Sequence, residues 1–156
     1  MINPTRRQML AAFAALGATA TLPARASSAP FIEVTKDPSC GCCGAWVEIL
    51  GREGFVTETA EASWQALSQL KRDSGISEDM ASCHTARIEG YVIEGHVPPA
   101  DIRRLLQERP DAIGLAVPGM PWGSPGMGPE SEREAYTVFL IGGDGQVTPF
   151  THYDAA

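Results

Sequence analysis

The chain has 156 residues, with 19 acidic and 12 basic side chains and a formal net charge of −7. This acidity argues against nucleic acid or an anionic membrane surface as a partner. The length suits one domain with its own hydrophobic core, and hydrophobic residues make up 44% of the sequence.

Residues 1–26 have the pattern of a cleaved export signal. Arg6-Arg7 provides a positive start, a mostly apolar run follows over 9–20, and Ala24-Arg25-Ala26 is a small-x-small cleavage site. The apolar run is too short to span a bilayer, so we predict no stable membrane insertion. The paired arginines also approximate a twin-arginine signal, with an ordinary export signal as the alternative. We therefore expect a periplasmic or secreted protein with a mature domain over 27–156.

The mature sequence begins with a predicted strand, a cysteine-containing loop and a helix. Phe31–Thr35 is rich in β-branched and aromatic residues, which predicts the strand. The spacing of apolar residues predicts a helix that begins close to Cys43 and ends at Gly51 or Gly54. Phe55–Thr59 has the composition of a second strand.

The middle of the chain is predicted to contain a second helix and a hairpin. Ser63 can cap a helix that ends near Gly75. Residues 76–82 form a connector with no clear pattern. Thr85–Ile88 and Tyr91–Ile93 are predicted to pair as a β-hairpin.

The last part of the chain predicts a third helix, a long loop and two strands. The helix opens at Pro98 and closes at Pro110. Residues 114–129 are rich in glycine and proline, which predicts an irregular loop. Two strands follow over Tyr136–Ile141 and Gln146–Thr151.

The order of these elements predicts an α/β fold with a mixed sheet and flanking helices. Thioredoxin-like proteins keep their active cysteines in a loop after the first strand and at the start of the first helix. We therefore expect a single domain with a thioredoxin-like core.

All four cysteines of the chain lie in two short loops. Cys40, Cys42 and Cys43 fall within four residues, and Cys83 lies further along, directly before His84. The three clustered thiols are within about 10 Å of each other whatever the backbone conformation. One disulfide does not need three thiols, and a soft metal ion bound by thiolates is the simplest reason for the cluster.

The sequence leaves three uses of these cysteines open. We favour metal ligation. Cys40 and Cys43 also form a C-x-x-C pair, which is typical of a thiol–disulfide oxidoreductase. The third interpretation is two structural disulfides, for example one within the cluster and one to Cys83. Cys42 favours the metal, because a third adjacent thiol would offer competing disulfides to a dithiol enzyme.

Copper is the metal that the ligands favour. Cu(I) accepts two or three thiolates, and thiolates can bridge several ions, so crowded cysteines suit a mononuclear or multinuclear Cu(I) site. A tetrahedral zinc ion held by four sulfurs, or by three with a histidine, is the alternative. Met120 and Met127 add two thioethers in a glycine-rich loop, where each is either a Cu(I) ligand or packed over the core edge.

Two histidines are candidate nitrogen ligands beside the cysteines. His84 directly follows Cys83, and His96 ends the predicted hairpin, so it could lie near Cys83 if the strands pair as predicted. The alternatives are a polar loop residue for His84 and a histidine bonded to backbone for His96. We expect His152, near the end of the sequence, to be structural or exposed.

Several segments resemble the CopG-type periplasmic copper proteins, which are distinct from the DNA-binding repressors of the same name. They are Lys36–Trp46, Ser82–Ala86, Gly90–Pro98, Gly114–Pro121 and Gly123–Met127. Together they extend over nearly all of the mature chain. The resemblance implies a thioredoxin-like fold, a role in copper resistance and Cu(I) binding through all four cysteines.

The same resemblance leaves the biochemical activity open. Storage, delivery and copper redox cycling all fit it, so a copper redox enzyme is a further alternative. We expect metal ions as partners, together with other periplasmic copper-handling proteins.

Overall fold

The structure is a computed structural model that describes residues 28–156, so the predicted export signal lies outside the described residues. This part of the chain forms one seven-stranded sheet and three α-helices. The strands are β1 (Phe31–Lys36), β2 (Val56–Glu61), β3 (His84–Ile88), β4 (Tyr91–Glu94), β5 (Ala112–Ala116), β6 (Tyr136–Gly142) and β7 (Val147–Tyr153). The helices are α1 (Gly41–Arg52), α2 (Trp64–Asp73) and α3 (Pro99–Glu108), with short 3-10 turns at Glu78–Met80 and Glu130–Glu132.

The sheet mixes parallel and antiparallel neighbours in the order β2-β1-β3-β4-β5-β6-β7. β1 pairs in parallel with β2, and β4 pairs in parallel with β5. The remaining neighbours pair in antiparallel fashion. The predicted α/β class with a mixed sheet and flanking helices is therefore confirmed, whereas the thioredoxin-like core stays a prediction.

The pairing of β1 with β3 decides where the cysteine loops lie. Lys36, at the end of β1, pairs with His84, at the start of β3. The loop that leaves β1 therefore begins beside the residue that enters β3. Since Cys40 follows Lys36 closely and Cys83 directly precedes His84, this register brings the two cysteine-bearing segments to one edge of the sheet.

The core packs α1 and α3 against the sheet. Trp46 and Leu50 from α1 and Ile102 and Leu105 from α3 are fully buried in one apolar cluster, together with central strand residues such as Ile93. The Trp46 indole Nε1 also donates a hydrogen bond to the Val97 carbonyl at 2.9 Å. These contacts fix the first helix, and with it the cysteines at its N-terminus, relative to the sheet.

One predicted boundary was wrong. The predicted loop over 114–129 begins inside a strand, because Ala112–Ala116 forms β5 beside β4. Gly114 lies opposite Val92, and a Cβ on Gly114 would be 1.7 Å from the Val92 carbonyl oxygen. The glycine that suggested a loop is thus required by close strand pairing. Helix α1 begins close to Cys43, as predicted, at Gly41, because Cys40 takes the N-cap position.

Within 28–156, none of the helices combines the length and the apolar character that crossing a bilayer requires.

The close contact at Gly114 gives a test of the fold. Gly114→Ala should lower the free energy of unfolding by about 3 kcal/mol or more, because the added methyl group overlaps backbone that cannot move independently. Gly51→Ala is the matched control, since its Cβ would meet nothing within 4 Å in α1. The control should stabilise the protein by about 0.5–1 kcal/mol through helix propensity. Equal unfolding midpoints in urea for the two variants would contradict the β4–β5 register.

Candidate metal centre

A short turn connects β1 to the first cysteine. The Asp37 carboxylate accepts hydrogen bonds from the Ser39 backbone N–H at 2.8 Å and from the Ser39 hydroxyl at 2.5 Å. These bonds hold the pKa of Asp37 below its usual value. The Cys40 N–H donates to the Asp37 carbonyl at 3.1 Å. The turn therefore fixes the point at which the chain enters α1.

The three clustered cysteines occupy the start of that helix. Cys40 is the N-cap residue with extended backbone, and Cys42 and Cys43 follow in the first turn. The Gly44 N–H donates to the Cys40 carbonyl at 3.3 Å. A helix N-terminus presents free N–H groups and a positive dipole end, which favour anionic ligands such as thiolates.

Cys83, which directly precedes β3, completes this group of cysteines. One sulfur atom from each of Cys40, Cys42, Cys43 and Cys83 lies within 4.8 Å of the others. Cys43 is fully buried, and the other three sulfur-bearing residues are partly exposed. The structure thus places all four cysteines of the sequence around one point, with three of the four partly exposed.

Two of the four sulfurs are oxidised in this structure. Cys40 and Cys43 form a disulfide, while Cys42 and Cys83 are free thiols. The Cys42 sulfur lies 3.5 Å from the Cys40 sulfur. A disulfide sulfur carries no negative charge, so a four-thiolate site exists only after two electrons reduce the Cys40–Cys43 bond. Of the two disulfides considered from the sequence, the one within the cluster is present and none involves Cys83.

Both candidate histidines contact Cys83. The Cys83 sulfur is 3.3 Å from His84 Nδ1 and 3.1 Å from His96 Nε2. His96 Nδ1 lies 2.8 Å from the Pro125 carbonyl, which can only accept, so Nδ1 carries the proton and Nε2 presents its lone pair to Cys83. Metal-binding histidines are commonly oriented by such a hydrogen bond from the second nitrogen.

His84 has an unsatisfied nitrogen in the interior. Its Nε2 atom is buried and has no hydrogen-bond partner among residues 28–156. The ring packs against Trp46 at a centroid distance of 4.4 Å and meets the His96 ring edge-on at 5.2 Å. Buried polar atoms without a partner are uncommon and costly, and a bound ion is one way to satisfy them.

Burial controls the protonation of this group. It lowers the pKa of His84 well below its usual value, with further lowering from the charges of His96 and Lys71. Burial also lowers the pKa of His96. Burial, and then the charge of Cys42, raises the pKa of Cys83 to about 12. At neutral pH the imidazoles therefore offer lone pairs, whereas Cys83 must lose a proton before it binds a metal ion.

The glycine-rich loop that carries the two methionines lies against both cysteine segments. The Gly119 N–H donates to the Ala81 carbonyl at 3.1 Å, close to Cys83. A Cβ on Gly126 would be 2.9 Å from the Cys42 carbonyl oxygen, and Gly126 has a positive φ of 87°. The residues that follow these glycines are Met120, which is exposed, and Met127, which is partly buried. Each methionine thus directly follows a glycine that contacts a cysteine segment. Binding of a metal ion by the two thioethers stays a prediction.

His152 lies elsewhere, as expected. It is an exposed residue on β7, and its Nδ1 is 2.9 Å from the Thr137 hydroxyl.

The sequence interpretation missed two charged residues behind the cluster. Lys71 and Glu94 form a buried ion pair, with 2.6 Å between Nζ and Oε1. Glu94 ends the otherwise apolar strand Tyr91–Glu94, and charged side chains are almost never fully buried without a partner. That placement was a usable signal for Glu94, but nothing local identified Lys71 as the partner.

Comparisons with known proteins support a metal-related site. The family described as a protein of unknown function, DUF411, matches residues 80–127. Two solved structures, titled copper resistance protein CopG Form 2 and Form 1, are similar to the chain with TM-scores of 0.74 and 0.75. Their sequence identities are 42% and 41%, and each alignment covers 80% of this chain and 98% of the other. A search of curated proteins found no match.

The buried histidines predict a pH-dependent stability of the metal-free, disulfide-bonded protein. Their folded-state pKa values lie below the value of about 6.5 of an unfolded histidine, so the unfolded state binds more protons as the pH falls. The free energy of unfolding should therefore drop by about 1–2 kcal/mol from about pH 7.5 to about pH 5.5. Urea unfolding at both pH values measures the drop.

A variant identifies the source of this pH dependence. His84→Gln changes the stability at every pH but should remove a large part of the difference between the two pH values. An unchanged difference in the variant would show that other groups cause it.

Proposed function

The chain belongs to the family of the copper resistance protein CopG, and from this premise we propose that it binds Cu(I) through Cys40, Cys42, Cys43 and Cys83 in copper resistance or handling. The observation that supports the proposal is the group of four sulfur atoms that lie within 4.8 Å of one another. One loop provides three of these sulfur atoms and the other provides the fourth. The complete site therefore forms only when the chain folds.

The donor set favours a soft ion. Thiolates select Cu(I) and zinc, and bridging thiolates allow one cluster to hold several Cu(I) ions. Cys42 and Cys43 are neighbours in the first turn of α1, which suits sulfurs shared between ions better than one isolated tetrahedral ion. We therefore propose a site for one or more Cu(I) ions, with zinc as the alternative.

Nitrogen and thioether ligands complete the proposed set. His84 offers a buried nitrogen without a partner, and His96 presents Nε2 at the Cys83 sulfur. Met120 and Met127 follow the two loop glycines that contact the cysteine segments. Thioethers suit Cu(I) and add no charge.

We also propose a thioredoxin-like core and a periplasmic location. A C-x-x-C pair at the start of the helix in a β1–α1–β2 unit supports the first. The pattern of residues 1–26 supports the second. Other copper-handling proteins of that compartment are the proposed partners.

The Cys40–Cys43 disulfide favours a copper redox role as a second candidate function. In that reaction the reduced pair gives one electron to each of two Cu(II) ions, the sulfur–sulfur bond forms, and the two thiol protons go to solvent. The two Cu(I) ions produced would bind to the free thiols and the neighbouring histidines.

A titration tests Cu(I) binding directly. The fully reduced protein, titrated with Cu(I) without oxygen, should bind at least one ion per chain, and X-ray absorption should show sulfur neighbours around copper. The protein with its Cys40–Cys43 disulfide intact is the control and should bind Cu(I) more weakly, because two thiolates are missing. A copper shell without sulfur would refute the proposed site.

Cys42→Ser separates the metal site from a dithiol enzyme. A metal site should lose Cu(I) ions per chain in this variant, because a ligand is removed while Cys40 and Cys43 remain. A thiol–disulfide oxidoreductase that uses Cys40 and Cys43 should retain insulin-reducing activity in the same variant. His152→Gln, which removes an exposed nitrogen ligand outside the cluster and leaves every thiol, is the control and should keep the full number of Cu(I) ions per chain. Full copper binding by Cys42→Ser, together with insulin reduction, would favour the enzyme.

The redox candidate has its own measurement. Adding two equivalents of Cu(II) to the reduced protein without oxygen should abolish the Cu(II) electron paramagnetic resonance signal. The number of titratable thiols should fall from four to two. A Cys40→Ser/Cys43→Ser/Cys83→Ser variant keeps one thiol per chain, so no disulfide can form within the chain, and it should leave most of the signal. Persistent Cu(II) with the unmodified chain would exclude the redox role.

A further inference from the structure

We propose that the buried Lys71–Glu94 pair positions Cys83, and that Glu94 acts through the backbone N–H of Ser82. Neither residue is a metal ligand in the site described above. The inference rests on the proposed function in that Cys83 is taken as a copper ligand, but the positioning itself can be measured without copper.

Glu94 connects three elements at the edge of the cluster. Its Oε1 atom accepts from Lys71 Nζ at 2.6 Å and from the Ser82 backbone N–H at 2.6 Å. Its Oε2 atom accepts from the Thr85 hydroxyl at 2.7 Å. Lys71 also donates to Thr85 Oγ1 at 2.9 Å. One carboxylate thus holds the residue directly before Cys83 and a residue two positions after it.

Both charged side chains of this network are buried. The Glu94 side chain has no exposed surface, and the Lys71 side chain is 7% exposed. Replacing a buried ion pair by apolar residues is often neutral or stabilising. Net stability is therefore a poor explanation for the pair, and a role in placing a particular segment explains it better.

The neighbours of Glu94 extend its effect to the ligands. Gly95 has a positive φ of 72°, and a Cβ there would lie 2.5 Å from the Ser82 Cβ and 2.7 Å from the Val117 carbonyl. The next residue, His96, contacts the Cys83 sulfur. Three successive residues, the last of β4 and the two after it, are therefore the anchor for Ser82, the glycine that lets Ser82 approach, and the histidine beside Cys83.

Ser82 transmits the position to the methionine loop as well. Its hydroxyl donates to the Gly119 carbonyl, and Ser82 and Gly119 form an isolated parallel bridge. If the Ser82 N–H loses its acceptor, both Cys83 and the start of this loop are free to shift away from α1.

Two double variants separate the loss of the hydrogen-bond acceptor for the Ser82 N–H from the loss of the Lys71 and Glu94 charges. Lys71→Met/Glu94→Gln removes both charges but keeps a side-chain oxygen for the Ser82 N–H. Lys71→Met/Glu94→Leu also removes both charges and leaves no acceptor. Since neither leaves a buried charge unpaired, both are expected to fold, and circular dichroism with thermal unfolding verifies this. Lys71→Met/Glu94→Met replaces the leucine variant if that one does not fold.

The first readout is the affinity for Cu(I), measured against a competing chelator. The glutamine variant should bind Cu(I) within about threefold of the unmodified chain. The leucine variant should bind about 10–100-fold more weakly, which is the usual effect of losing a group that orients a metal ligand. Equal affinities in the two variants, whether both high or both low, would overturn the role of the acceptor.

The second readout needs no copper. In a Cys40→Ser/Cys43→Ser background, Cys42 and Cys83 are the remaining thiols, and diamide can oxidise them to a disulfide. The rate should be similar to the background in the glutamine variant and slower in the leucine variant, because Cys83 is no longer held beside Cys42. Equal rates would overturn the positioning. If the unmodified chain fails to bind Cu(I) while these rates still differ, the proposed function fails and the positioning stands.

Discussion

The antiparallel pairing of β1 with β3 is the constraint on which the cysteine cluster depends. It places Lys36 opposite His84, so the segment after β1 and the segment before β3 meet at one sheet edge. Trp46 and Leu50 then hold α1 against the sheet, and the helix presents Cys42 and Cys43 in its first turn. The sulfurs converge because the backbone register and the helix packing leave them no other location.

The same arrangement makes the site both a ligand set and a redox pair. Cys40 and Cys43 are close enough to form a disulfide. Reducing that bond with two electrons produces two thiolates that can bind a metal ion, so metal binding depends on the oxidation state of this pair. The buried surroundings add a proton cost, since the Cys83 pKa is raised to about 12 and binding a metal releases that proton. Copper binding as we propose it at this site would therefore be coupled to both electrons and protons.

Much of the fold could be predicted, because β-branched strands, capped helices and the hairpin turn are local signals. The grouping of the four cysteines with the two histidines was also predictable, since their residue types carry the chemistry, while their role as ligands stays a prediction. The start of β5 was not, because Gly114 is used for close strand pairing and suggested a loop. The spacing of Cys40 and Cys43 fits a ligand pair and a disulfide equally well. The Lys71–Glu94 pair depends on the packing of α2 against the sheet, which no local pattern reveals.

Copper binding by these converging sulfurs in the folded protein is the central proposal. Anomalous diffraction at the copper absorption edge, from crystals of reduced protein loaded with Cu(I), locates the ions without assumptions about their ligands. We predict one or more anomalous peaks between the first turn of α1 and Cys83, next to His84 and His96. Peaks only at other parts of the surface, with the four sulfurs left without copper, would contradict it.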